Sequence, residues 1–147
     1  VQTALEAERQ IRRQQVLHNT RMLMEEYIEM KRHIESAVSE EEELKEEQYD
    51  VFRGEGAHLG SVRRSKMKTA MMIANIDRAM EELRAEYETK EMTYKYDAFK
   101  MHYIDGVSYE EIADIQNCGK NTPSRWSKEL IRKMSVKLFG IDGVEKY

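Results

Sequence analysis

One proline, Pro123, and only seven glycines in 147 residues leave long stretches of this chain with nothing to interrupt a helix, because those two residue types are the ones that break it. The rest of the composition pushes the same way. Glu, Lys, Arg, Met, Leu and Ala dominate, and these residues lose least on becoming helical. An all-α chain with almost no strand is predicted. Charged residues make up 35% against 40% hydrophobic, more charge than one compact core calls for, so an elongated helical arrangement is expected.

The N-terminal part reads as an amphipathic helix from Leu5 to Ala37 with a heptad-like register. Val16, Leu23, Met30, Ala37 and Leu44 share one core position, and Thr20, Tyr27 and Ile34 share the other, which is the alternating three and four spacing of a coiled-coil seam. Arg9, Arg13 and Glu41 interrupt it, so a short coil is expected. Val16, Leu23, Tyr27, Met30 and Ile34 are the candidate oligomerisation residues. Ser39 followed by Glu42 suggests a capping box and a helix restart through the acidic run Glu40–Glu47, which is read as a solvated face. The glycine cluster around Arg53–Ser61 divides the chain. Residues 1–52 are read as an oligomerisation segment, 53–62 as a linker, and 63–147 as a long helix followed by a compact C-terminal helical domain.

Beyond the linker, Arg63, Arg64, Lys66 and Lys68 form a short basic patch, suited equally to solubility and to phosphate contact. A helix over residues 65–90 then shows Ile73, Ile76, Met80, Leu83 and Tyr87 at three and four spacing. Met67, Met71, Met72 and Met80 are read as core filler, since flexible thioethers fit irregular gaps. A helix over 93–104 should turn Tyr96, Phe99 and Tyr103 inward. Asp105-Gly106 then makes a turn, and Ser108 with Glu111 forms a capping box for a short helix whose buried side is Ile112, Ala113 and Ile115. Gln116-Asn-Cys-Gly119 supplies a turn that tolerates left-handed backbone.

Asn121 is expected to cap the next helix, with Pro123 in its first turn, where a missing amide hydrogen costs nothing. Trp126, Leu130, Met134 and Leu138 recur every four residues as a core stripe with Ile131 beside them. The opposite side carries Lys120, Asn121, Thr122, Ser124, Arg125 and Lys128. This layout of short helix, turn and basic helix is that of a helix-turn-helix whose second helix enters the major groove of double-stranded DNA. Arg125 and Asn121 suit bidentate readout of guanine or adenine, while Arg132 and Lys133 suit backbone phosphates.

The net charge of −4 hides an asymmetry. Residues 1–50 carry seven basic and thirteen acidic side chains, whereas Lys120–Lys137 carries six basic residues against Glu129 alone. Phosphate contact therefore belongs to the C-terminal part. Cys118 is the single cysteine, so an internal disulfide and a cysteine-based zinc site are excluded, which fits a reducing cytoplasm. The four histidines are scattered, so neither a metal nor a cofactor is expected. No nucleophile constellation or phosphate-cradling glycine loop argues for an enzyme. No apolar run has membrane-spanning length. The chain begins at Val1, and an initiator methionine is expected to have preceded it.

Tyr103, Gly106, Ser108, Tyr109, Glu111, Ile112, Ala113, Asn121, Thr122 and Arg125 resemble the region 4 helix-turn-helix of sigma-70-type factors over about residues 93–138. The turn Gln116–Gly119 and Pro123 depart from that family's Leu-Gly-Ile-Ser and valine. With its charged N-terminal helix, glycine-containing linker and Arg-Trp pair, the whole layout resembles the phage and prophage late transcriptional regulators of the RinA and ArpU groups. The resemblance implies a homodimeric or higher-order DNA-binding regulator in the bacterial cytoplasm, with RNA polymerase among its partners. The alternative it leaves is a small terminase subunit recognising packaging sites. Nothing resembles the sigma segment that melts promoter DNA.

Overall fold

The computed structural model describes residues 2–47 and 56–140, with side chains at 3–36 and 64–140. These residues form five helices and, among them, no strand: α1 (Gln2–Glu47), α2 (Gly56–Thr89), α3 (Thr93–Tyr103), α4 (Tyr109–Gln116) and α5 (Thr122–Phe139). The all-α class with a long N-terminal helix is as expected. With 46 residues and a rise of 1.5 Å per residue, α1 is roughly 70 Å long.

The helices share one core. Met24 and Tyr27 of α1 lie in it together with Ile76, Met80, Leu83 and Tyr87 of α2, Tyr96, Phe99 and Tyr103 of α3, and Leu130, Ile131 and Met134 of α5. Burying an aliphatic or aromatic side chain contributes about 1.5–3 kcal/mol, so this cluster holds α1, α2, α3 and α5 together. Helix α5 touches every other helix, whereas α4 packs on α3 and α5. At the rim of the core the Tyr27 hydroxyl donates to Asp77 Oδ1 at 2.5 Å, tying α1 to α2.

Several boundaries and faces differ from the sequence reading. Helix α1 runs through Ser39 without a restart, and α2 begins at Gly56, inside the stretch read as linker; residues 53–55 lie outside the described residues. The side chains of the acidic run Glu40–Glu47 and of Arg63 are also outside them. The stripe read as a subunit seam is occupied within the chain, with Tyr27 buried and Leu23 and Met30 packed against the core. Val16 and Ile34 are half-buried. Met67 and Met71 are 65% and 67% exposed, not core filler, because the α2 stripe that meets the other helices starts at Met72 and Ile73.

Helix α2 ends with Glu91 in the left-handed region (φ 58). Met92 N–H reaches the Tyr87 carbonyl at 2.8 Å, which is the long hydrogen bond of a Schellman cap. The chain then re-enters a helix at Thr93, which folds α3 back on α2.

Candidate nucleic-acid interface

Ser108 begins α4 as the sequence leads one to expect. It is extended (φ −68, ψ 153), and its Oγ accepts from Glu111 N–H at 3.2 Å, leaving Glu110 and Glu111 in the first turn, where the helix dipole favours carboxylates. Ile112 and Ala113 are buried, but Ile115 is 60% exposed, a correction that follows from its position nearly opposite Ala113 on the helix. Asn117 closes α4 in the left-handed region (φ 54, ψ 51), and Cys118 N–H donates to the Ala113 carbonyl at 3.0 Å. Cys118 is partly buried in the turn.

The start of α5 takes a different form from the one expected. Asn121 stands at the cap position with helical backbone (φ −96, ψ −2), and its side chain makes no capping bond. A side-chain cap needs extended backbone at that residue. Instead Thr122 N–H donates to the Gly119 carbonyl at 3.0 Å, and Ser124 Oγ donates to the Asn121 carbonyl at 3.0 Å. A Cβ at Gly119 would stand 3.0 Å from Thr122 Oγ1, so the tight turn leaves little room for a side chain there. Pro123 is fully buried in the first turn and pins the helix start to the core.

The core face of α5 is Pro123, Ser127, Leu130, Ile131, Met134 and Ser135. Trp126 is half-buried on its flank, meeting the Tyr94 ring edge-on at 5.2 Å, and Leu138 is also half-buried. Ser127 is therefore central where Trp126 was expected to be. Its Oγ accepts from the Tyr109 hydroxyl at 2.9 Å and lies 3.3 Å from that of Tyr103. His102 stacks on Tyr109 at 3.7 Å, with Nδ1 donating to the Val107 carbonyl at 2.8 Å. Burial pushes the Tyr109 hydroxyl well above its ordinary range, so it remains a donor at neutral pH. This aromatic and hydroxyl group fastens the first turns of α5 to α3 and α4.

The basic side chains of α5 divide into two sets. Lys133 Nζ is 3.1 Å from Glu86 and Lys137 Nζ is 3.8 Å from Glu82, both on α2. Lys95 holds Glu129 at 3.2 Å, and the Tyr87 hydroxyl donates to the same carboxylate at 3.0 Å. Toward the N-terminus the pattern changes. Lys120, Asn121, Arg125 and Lys128 are exposed, and Thr122 and Ser124 half-buried; Lys120, Arg125 and Lys128 form no ion pair among the described residues. Arg132 is exposed further along the helix. The spacing from Asn121 through Arg125 and Lys128 to Arg132 keeps them on one side over roughly 16 Å of helix.

Lys133 thus differs from the other candidate residues in facing α2. Two residues absent from the sequence reading, Arg21 and Glu25 of α1, border the same surface, lining a cleft with Ser124, Lys128, His102 and Tyr109. Nothing in the sequence signals a contact between positions so far apart, and the core role of Ser127 is masked by its polar side chain although its spacing to Pro123 and Leu130 fits the buried face. Among the described residues there is no group of His, Cys, Asp and Glu arranged to hold a metal, and no helix long and apolar enough to cross a membrane. Comparison of the chain with protein-family models, with curated proteins and with solved structures finds no match.

Proposed function

We propose that this chain is a DNA-binding transcriptional regulator of the phage and prophage type, in which α4, the turn at Asn117–Lys120 and α5 act as a helix-turn-helix. The observation that carries the reading is the division of cations on α5. Lys133 and Lys137 are neutralised by α2, while Arg125 and Lys128 of α5 and Lys120 just before it are exposed with no ion-pair partner among the described residues, at the end of a helix whose other side is pinned into the core. A rigid helix with its unpaired cations at its N-terminal turns suits the major groove. Arg125 and Asn121 are the base-reading residues, and Lys120 and Lys128 contact phosphates on either side.

Selection from a pool of random duplexes, followed by fluorescence anisotropy on the enriched sequence, tests this. Binding should weaken steeply with salt. Arg125→Ala should relax discrimination at one or two base pairs, costing about 1–3 kcal/mol on the preferred site. Lys128→Ala should weaken all sequences alike. If the chain binds no duplex, or if Arg125→Ala with Lys128→Ala binds like the parent, the proposal is wrong.

A further inference from the structure

We propose that Arg21 of α1 and Lys128 of α5 together form a phosphate-binding cleft, and that the phosphate it takes is a backbone phosphate of the duplex that α5 reads. This rests on the proposed DNA-binding role and extends it to α1, the helix whose heptad pattern suggested only subunit pairing.

The cleft has a volume of about 260 Å³ and opens between α1 and the N-terminal half of α5, with Tyr109 and His102 among its walls. Arg21 and Lys128 are both exposed. Neither forms an ion pair among the described residues, although Arg32, Arg78 and Arg84 each pair with a glutamate on their own helix. Two cations from separate helices facing one cleft repel each other unless an anion lies between them. Glu25 also lines it, but one carboxylate against two cations leaves the cleft net positive. Arginine's planar fork suits phosphate oxygens, and lysine adds a mobile point charge.

The hydroxyls are already engaged. Ser124 donates to the Asn121 carbonyl and Tyr109 to Ser127, so they shape the wall while Arg21 and Lys128 supply the attraction. Arg21 and Tyr109 line the same cleft from α1 and from the start of α4. A phosphate held there would neighbour the N-terminal turns of α5, where Arg125 is exposed. Helix α1 then acts as a strut that fixes how α5 sits across the groove.

The test is anisotropy of the full chain on its selected duplex over a potassium chloride series. Arg21→Ala should weaken binding roughly eightfold at 0.1 M salt and lower the slope of log K against log salt by about 0.9, as loss of one phosphate contact does. Arg21→Lys should restore most of the slope, and Glu25→Gln should tighten binding. Arg32→Ala, which removes the same charge elsewhere on α1, should leave the slope as it was. An unchanged slope in Arg21→Ala, with Arg125→Ala still impaired, would overturn the cleft while leaving the DNA-binding reading intact. Should no duplex bind while inorganic phosphate raises the melting temperature of the parent and not of Arg21→Ala, the cleft serves a free phosphate, and the DNA assignment is overturned. Absence of both effects would overturn cleft and reading together.

Discussion

Glu91 holds the left-handed conformation (φ 58) that ends α2, and for a side chain with a Cβ that conformation costs roughly 1 kcal/mol. The cap forms because Met92 N–H and Glu91 N–H both find α2 carbonyls, and Glu91 is exposed, its side chain making no bond among the described residues. Glu91→Gly should therefore raise stability by about 0.5–1 kcal/mol, less the entropy glycine adds to the unfolded chain, read as a higher melting temperature in circular dichroism. Asn117 shows the same conformation at the end of α4 (φ 54), and there the sequence pointed to it, since asparagine tolerates left-handed backbone. Ser108 was equally legible, because a serine three residues before a glutamate announces a cap by side-chain chemistry alone. Asn121 was not. Its capping ability depends on a backbone angle set by Gly119 and the buried Pro123, and tertiary packing chose the helical value.

Helix α5 shows how a spacing can mislead at the next scale. Residues four apart advance by about 400°, so a line through Trp126, Leu130, Met134 and Leu138 drifts by about 40° per step and cannot keep both ends in the core. The mixed spacing of Pro123, Ser127, Leu130 and Met134 follows the true face, and a small polar serine hid it. The other side of α5 meets α2 through carboxylates, which makes the packing pH-dependent. Burial raises the Glu129 carboxyl, but hydrogen bonds from Lys95 and Tyr87 outweigh it and leave it below the ordinary range. The hydrogen bond to Glu86, opposed by partial burial, raises Lys133. A depressed carboxyl contributes stability above its unfolded value of about 4.3, lost as pH falls through the folded one. A raised lysine contributes below about 10.4, lost as pH climbs through its folded value. Stability should thus plateau between about pH 5 and 10 and decline on both sides. Glu129→Gln should flatten the acid limb in melting curves taken across pH. Lys133→Met should make the alkaline one shallower without abolishing it, because burial also raises the Tyr27, Tyr87 and Tyr109 hydroxyls. Both groups are partly exposed, so each effect should stay within about 1 kcal/mol.

At the scale of the whole molecule, the glycine cluster suggested a division at residues 53–62, and α1 on one side of it packs on α2, α3 and α5 on the other. Composition reveals where a chain is easiest to bend, but not which apolar stripes will meet. The heptad pattern of α1 fits another helix of its own chain as well as it fits a second copy, because both present ridges of the same spacing. Here Thr20, Met24 and Tyr27 are buried against the rest of the molecule, and Ile28 Cδ1 would be 3.5 Å from a Cβ at Gly106. A fragment of residues 63–147 would expose the faces of α2, α3 and α5 that pack against α1 in the shared core. Removing Met24 and Tyr27 alone forfeits on the order of 5 kcal/mol, comparable with the 5–15 kcal/mol that holds a domain folded. The fragment should retain helix in far-ultraviolet circular dichroism yet lose its cooperative thermal transition and its dispersed amide spectrum. If the chain binds duplex as proposed, that affinity should fall with the fragment's order, since Arg125 and Lys128 depend on a fixed α5. Tyr27→Ala in the full chain should show the same loss in milder form, about 3–5 kcal/mol, from the cavity and the missing bond to Asp77. A fragment that melts cooperatively near the temperature of the full chain would show instead that α1 is an appendage, and that its seam is free to pair with another copy.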